Sequence, residues 1–417
     1  MGSEDLLQLL VNFFTTAGIP FLQIENAYFA RFVEVLVSLA PGYAFRLPCR
    51  TKFTTEVFKE AENITTAVMT ELQSAPGKVS LAFDCWSSST QLPFITVTGH
   101  YIDKDWKMRR QLVAFNKFNP PHNGERTAKK LLDIICGRGS WLNLKDKFLA
   151  LTGDSAATNL KAMDFLEEGL SIDGEVPTWS GVENFLSCSS HVINLVAQDI
   201  CAPFRTSVVI NDEVVEVESH HGAPAKGIMG STLSKLGNAA RKRNQSPAFA
   251  LAWKNTFQKF KVNPLKLIKA TPTRWNSRFQ QIDVALPMRD VYDEVTDQAE
   301  HHHFKLSENE WEHLEWLHGI LERLNEASHK LSSSKDVTIS EMLPLFNLIF
   351  DMLEDQIDSL DPVATTDNQY ERQERLKGLK LARDKLSKYY AYTTTCPWYT
   401  FATSKFHPSV CPFGISK

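Results

Sequence analysis

Residues 80–90 read SLAFDCWSSST. The first four have the look of a strand entering a core, and then Asp84 appears, followed by Cys85 and Trp86. Taking a carboxylate out of water is costly unless it is paired, hydrogen-bonded or bound to a metal. An aspartate at the end of an apolar strand therefore asks for a partner, and the search for one organises the rest of the chain.

Working outward, KVSLAFDCW (78–86), PFITVTGHYID (93–103) and MRRQLVAFNKF (108–118) are rich in Val, Ile, Phe and Thr and are separated by polar breaks. They predict three consecutive strands in an antiparallel meander, with HYIDKDWKM turning between the second and third. GERTAKKLLDIICGRG (124–139) predicts a helix closed by glycines. KFLALTGDS (147–155) is a fourth strand, apolar until it meets Asp154. AATNLKAMDFLEEG (156–169) predicts a helix, ENFLSCSSH (183–191) a fifth strand and VINLVAQDICAPF (192–204) another helix. The order is β-β-β-α-β-α-β-α. Two apolar strands thus end in aspartates 70 residues apart. If those strands are neighbours in one sheet, the two carboxylates meet at the same strand ends, where sites in mixed α/β sheets sit.

Two aspartates so placed can hold divalent hard cations through oxygen, and a metal pair about 4 Å apart serves phosphoryl transfer. The rival is that each Asp caps the turn or helix after it. That rival is strong for Asp154, because DSAATNL is a good helix start, and weaker for Asp84. An aspartic-protease dyad is excluded, since such folds need Asp-Thr/Ser-Gly turns and here Cys85 and Ser155-Ala156 follow the acids.

On either side of this region the chain reads as helical. Residues 4–75 hold SEDLLQLLVNFFTTAG, ENAYFARFVEVLVSLAPG and TEVFKEAENITTAVMTELQ, a helical lead-in. TSVVINDEVVEVESHHGAPAKG (206–227) is expected to be a loop. Beyond it, LSENEWEHLEWLHGILERLNEASHKL repeats apolar residues at helical spacing through Trp311, Leu314, Leu317, Leu321 and Leu324, and two further helical runs follow. The expected domains are 1–76, 77–204, 205–395 and 396–417.

The length of 417 residues suggests about two domains, and 43% apolar with 23% charged residues suits a globular chain. No apolar run is long enough for a membrane span, and the N-terminus lacks the features of a secretory signal. Seven scattered cysteines, with no CxxC pair, favour a reducing compartment and no tetrahedral zinc finger. CSSH (188–191) lacks two further zinc ligands at a known spacing, so a buried Cys188 and a hydrogen-bonded His191 are expected there. HHH (301–303) is expected to be solvated beside acidic helices.

The net charge of −4 does not announce a nucleic-acid binder, but its distribution is uneven. Between Lys235 and Arg278 stand eleven Lys or Arg, Lys259, Lys261 and Lys266 among them, and no Asp or Glu. Such a block gains by releasing counterions from phosphates. Equally, it could be a solvated face that neutralises the acidic segment 290–315. At its edge TPTRWNSRF (271–279) places Arg274 beside Trp275. An Arg with an exposed Trp can clamp a phosphate and stack on an unpaired base; a core Trp with a surface Arg is the alternative.

FDCWSS, FITVTGHYIDKDWKM, HNGERTAKKL, LTGDSAATN, CSSHVINLVAQD, TPTRWNS, the 306–333 helix, TIS and KLSKYY occur in one order over residues 80–390. This ordered set resembles the hAT family of DNA transposases, including its ricesleeper-like and BED-zinc-finger relatives, and the likeness extends into the helical lead-in. The resemblance implies an α+β fold: a ribonuclease-H-like mixed sheet interrupted by a large all-helical insertion. It implies DNA as partner, a nuclear location, and an Asp-Asp-Glu site holding Mg2+ or Mn2+, with Asp84 the first acid and Asp154 the second. His191 matches a residue near the active site and DNA, and Arg274-Trp275 match the family's Arg-Trp, whose Trp steadies a flipped base. Ser155 stands where the family often has Asn. No BED finger, no matching Glu beyond the KYY helix and no dimerisation segment are found, so the metal site is expected to be incomplete.

Overall fold

The structure, a computed structural model, describes residues 3–406 except 40–41, 43, 89, 138–142, 172–178, 205–206, 211–212, 217–231, 272–274, 333–337 and 361–368. The fold is α+β, with one mixed five-stranded sheet and a large helical portion. By its internal contacts the chain divides into Met1–Leu151 and Thr152–Lys417.

The first unit opens with α1 (Ser3–Thr16), α2 (Ala27–Ser38) and α3 (Arg50–Ser74). Gly18, at φ +64, supplies the left-handed residue just after α1, and Asn26 caps α2 by accepting from Tyr28 N and Phe29 N. Val11, Phe14, Ile24 and Phe53 bury together, with Phe14 edge-on to Phe53 at 4.9 Å. Next come β1 (Val79–Ser87), β2 (Pro93–Ile102) and β3 (Met108–Lys117), paired antiparallel as the period-2 pattern predicts. Leu81, Phe83, Ile95 and Val97 alternate into the core. Leu72 of α3 lies close above Gly99 of β2, where an added Cβ would come within 3.1 Å of it. α4 (Gly124–Ile135), capped by the Asn123 side chain on Arg126 N, and β4 (Phe148–Gly153) complete the strand-helix-strand step. The sheet order is β3-β2-β1-β4-β5, with β5 at Phe185–Ser187.

The second unit continues with α5 (Ala157–Ser171), the single turn α6 (Gly181–Asn184), β5 and α7 (Ser189–Cys201). β5 is shorter than expected, because Cys188 already caps α7 and the helix takes Ser189 to His191. The expected loop after residue 205 holds a hairpin, β6 (Ser207–Ile210) with β7 (Glu213–Glu216), in which Val209 pairs with Val214. Its β-branched residues favour an extended backbone over a loop. Residues 217–231, the rest of that loop, lie outside the described residues.

Helices α8 (Thr232–Gln245), α9 (Pro247–Phe260), α10 (Trp275–Ala285), α11 (Arg289–Thr296), α12 (Glu308–Leu331), α13 (Ile339–Leu360), α14 (Gln369–Thr395) and α15 (Pro397–Phe406) follow. One core joins them, and it includes Val192, Ile193, Val196, Ala197 and Ile200 of α7. This is why the division falls inside β4 and not near residue 204: α7 shares its apolar face with the helical portion. The expected stripe on α12 is buried throughout, from Trp311 to Leu324. The helix starts with a capping box between Ser307 and Glu310.

Two histidine expectations need separating. His302 and His303 are exposed, but His301 is buried edge-on to Phe249 at 4.7 Å, so the triplet is not uniformly solvated. The reason is the 3-10 turn His302–Phe304, which folds Phe304 and His301 back onto α9.

His313 on α12 is fully buried, and burial followed by the nearby Arg375 cation lowers its pKa to about 3. The unfolded chain therefore binds one more proton at this site between the ordinary histidine pKa and about 3. Stability is fully present above about pH 6.5 and is lost as pH falls, by about 1.4 kcal/mol per pH unit at most. Denaturant midpoints of wild type and His313→Gln across pH 7 to 4 check this; the wild type should show the steeper acid loss, and parallel curves would refute it.

Candidate functional site

Asp84 sits in β1 opposite Thr96, which in turn faces Phe115 of β3. The strand does not end at Asp84. Cys85, Trp86 and Ser87 remain in register with Ile95, Phe94 and Pro93. Nor is the carboxylate buried: Asp84 is exposed, on the face opposite Leu81 and Phe83. Exposure lowers the desolvation cost, so the placement that raised the question is a feature of the polar sheet face.

Asp154 is the first residue after β4 and is half-buried. Its Oδ1 accepts from Ala156 N at 3.0 Å and from Asn159 Nδ2 at 2.6 Å. The turn-capping role that the sequence allowed is thus present, and it engages one oxygen. The other oxygen is the one a hard cation would need.

Around Asp154 the second unit gathers a tight strand end. Ser155 Oγ donates to Ser187 Oγ at 2.7 Å, Cys188 N donates to Gly153 O at 2.8 Å, and Ser187 N donates to the Tyr399 hydroxyl at 3.1 Å. α7 begins immediately after Cys188, which puts His191, half-buried, in the first helical turn. Tyr389 of α14 lies near enough that Asp154 and Asp199 help hold its hydroxyl pKa above the ordinary value, after burial and Tyr392. The structure therefore brings Asp154, Cys188, His191 and Tyr389 to one strand end. Tyr389 was not singled out from sequence, where KLSKYY looked like plain helix. Cys201 is fully buried in the apolar core at the far end of α7. Among the described residues no three His, Cys, Asp or Glu side chains are grouped to hold a metal.

Trp275 opens α10 with its side chain 3% exposed, packed in the helical core. The Trp275 backbone N–H donates to Asn194 Oδ1 of α7 at 3.3 Å. An exposed stacking Trp is not what this conformation presents, because the indole contributes to the α7–α10 core. Arg274 lies outside the described residues.

The basic block has two fates. Lys235 is committed to Glu310, Lys259 pairs with Glu294 at 2.6 Å, and Arg278 is buried, donating to Gln281 Oε1 at 2.8 Å. These side chains serve the neutralising role. Lys261, which closes α9 at φ +56, and Lys266, in the connector to α10, are exposed, as is Lys269.

One further cluster escaped notice in the sequence. Lys117 at the end of β3 and Arg126, Lys129 and Lys130 of α4 line an open groove of about 600 Å³. The i, i+3, i+4 spacing in HNGERTAKKL was a usable signal, since it puts the three helical cations on one face.

Residues 82–178 match the family described as the ZBED1 RNase-like domain, and residues 186–320 match the ZBED1 RNase-like helical domain. The putative transcriptional regulator tpeD of Talaromyces stipitatus is 27% identical over 84% of this chain and 40% of its own length. The putative AC transposase of Zea mays is 29% identical over 43% of this chain and 21% of its own length. The zinc finger BED domain-containing protein RICESLEEPER 1 of Oryza sativa is 22% identical over 67% of this chain and 34% of its own length. The chain spans two fifths or less of these relatives.

Proposed function

We propose, for a chain that belongs to the hAT family of transposase-derived proteins, that it binds DNA in the nucleus, using the connector after α9 as a phosphate-contacting surface. The observation that carries this is the fate of the acid-free block 235–278: Lys261, Lys266 and Lys269 stay exposed after the helical core has taken Lys235 and Arg278. Exposed cations with no carboxylate in their own segment suit a polyanion. The names of the relatives, a transcriptional regulator and transposases, agree with a DNA partner.

On the same reading Asp84 and Asp154 are carboxylates for Mg2+ or Mn2+. Their donor chemistry fits: both offer carboxylate oxygens, Asp84 is exposed, and Asp154 has one oxygen tied to Ala156 and Asn159. A bound metal would supply Lewis-acid activation of a phosphoryl oxygen. This chain's own contribution is to hold the Asp154 side chain in one orientation through Asn159. A second reading, a host-adopted regulator that binds DNA without cutting it, is favoured by the relative named as a transcriptional regulator, whose match covers most of this chain.

Duplex DNA binding titrated against salt tests the common part. Wild type should show a steep loss of affinity with salt, and replacing Lys261, Lys266 and Lys269 with Gln should reduce the logarithmic slope by roughly 2–3. Absence of duplex binding at low salt would refute it. Mn2+-dependent nicking that disappears in Asp84→Asn selects the cutting reading, and binding without nicking selects the regulator. No helix among the described residues is long and apolar enough to cross a membrane.

A further inference from the structure

The open face of β1–β3 carries more than Asp84. In register, Trp86 faces Phe94, and Phe94 faces Lys117; one row along, Asp84 faces Thr96, and Thr96 faces Phe115. Opposed residues of an antiparallel pair share a face, so all six belong to one surface. Three of them form a continuous aromatic sheet. Phe94 stacks on Phe115 with centroids 5.2 Å apart, and Trp86 lies 5.8 Å from Phe94 and 5.7 Å from Phe115. Phe115 is 55% exposed and Trp86 38%. Apolar rings held together on an outer face are unusual enough to need a reason.

The reason lies beside them. Lys117 is at once the end of the aromatic row and a wall of the groove lined by Arg126, Lys129 and Lys130 of α4. Four cations meet two carboxylates there, Glu125 and Asp133. Among the described residues none of the four cations is ion-paired, and Arg126 spends one N–H on Pro120 O at 3.1 Å. Arg126, Lys129 and Lys130 share one face of α4 at i, i+3, i+4 spacing, so their charges sum along the groove.

A cationic track that runs up to a partly exposed aromatic cluster is the chemistry of single-stranded nucleic acid: phosphates follow the cations and bases stack on the exposed ring faces, whatever their sequence. We infer that this face binds an unpaired nucleic-acid strand, with Lys117, Arg126, Lys129 and Lys130 along its backbone and Phe115 and Phe94 under its bases. A purely apolar protein partner would leave the four cations unmatched, and a free phosphate would leave the rings unused. The inference rests on the DNA-handling reading above and deepens it: the connector lysines take duplex, and this face takes a separated strand within one residue row of Asp84.

The test uses the full chain and a fluorescein-labelled 15-mer of deoxythymidine, with a duplex of equal length alongside. Phe115→Ala should weaken the single strand roughly tenfold and leave the duplex unchanged, and Phe115→Tyr should restore it, because stacking needs only the ring. Lys129→Glu with Lys130→Glu should weaken the single strand and lower its salt slope by roughly 1–2. Thermal melting of each variant, matched to wild type, keeps misfolding apart from lost binding. A wild type that does not bind the 15-mer, or a 15-mer affinity indifferent to both sets of variants, overturns the inference. A loss confined to the Lys129/Lys130 variant overturns the stacking half. Loss of duplex binding alone in the Lys261, Lys266 and Lys269 variant leaves this site standing, so the two readings fail separately.

Discussion

Gly378→Ala should destabilise the helical unit by about 3 kcal/mol, the upper end of the usual cost of overpacking, because the atoms it meets cannot yield. A Cβ on Gly378 of α14 would lie 2.6 Å from the Ile200 carbonyl oxygen of α7, 3.3 Å from its carbon and 3.4 Å from its Cα. These are backbone atoms of a helix, so no rotamer change relieves the clash and the two helices have to part. Parting them opens the core that Ile200, Leu379 and Ala382 share. Gly319 on α12 is the control: it also lies inside a helix, yet nothing stands within 4 Å of an added Cβ. Gly319→Ala should stabilise by about 0.5–1 kcal/mol through helix propensity alone. Denaturant melts of the two variants should move in opposite directions. A Gly378→Ala protein as stable as wild type would show that α7 and α14 are not this close.

Lys235→Met should cost about 3 kcal/mol at neutral pH. Glu310 is 2% exposed, and its carboxylate takes Lys235 Nζ at 2.9 and 2.8 Å, Thr232 Oγ1 at 3.3 Å and Ser307 N at 2.9 Å. Removing the cation takes Lys235 away from a buried charge, and breaking a buried ion pair by deleting one partner is expensive. Lys235 itself is partly exposed, so the low end of the usual 3–5 kcal/mol range applies. Lys235→Met combined with Glu310→Gln should recover part of the loss, since the buried charge is then gone. A double variant no more stable than Lys235→Met would mean that Lys235 acts by packing alone.

The strands and helices were legible because their signals are local. Alternation from 79 to 117, with turn residues between the runs, suffices for a meander. Ser307 followed three residues later by Glu310 marks a helix start, and the stripe from Trp311 to Leu324 marks its inner face. The hairpin at 207–216 was missed because Asn211-Asp212 and the charges around it suggest a loop, while its Val and Ile favour strands. At the candidate site, Asp154 as a turn cap was visible in DSAATNL, and Asn159 completes it. Asp84 was misplaced as a strand end, because a run of apolar residues stopping at an acid looks the same whether the strand stops or merely turns its polar face outward.

By itself, then, the sequence determined the order of elements, the antiparallel meander, the position of Asp84 and Asp154 on separate strands, and the family to which the ordered motifs belong. Only the tertiary structure decided which surfaces are covered. It put Trp275 inside and Phe115 outside, assigned Lys235 to Glu310 75 positions along the chain, and gave α7 to the helical core. The physical reason is that periodicity marks two faces of a strand or helix but not which neighbour, if any, lies against each. That choice is made by side chains far apart in the chain, through packing and charge pairing that no local pattern records.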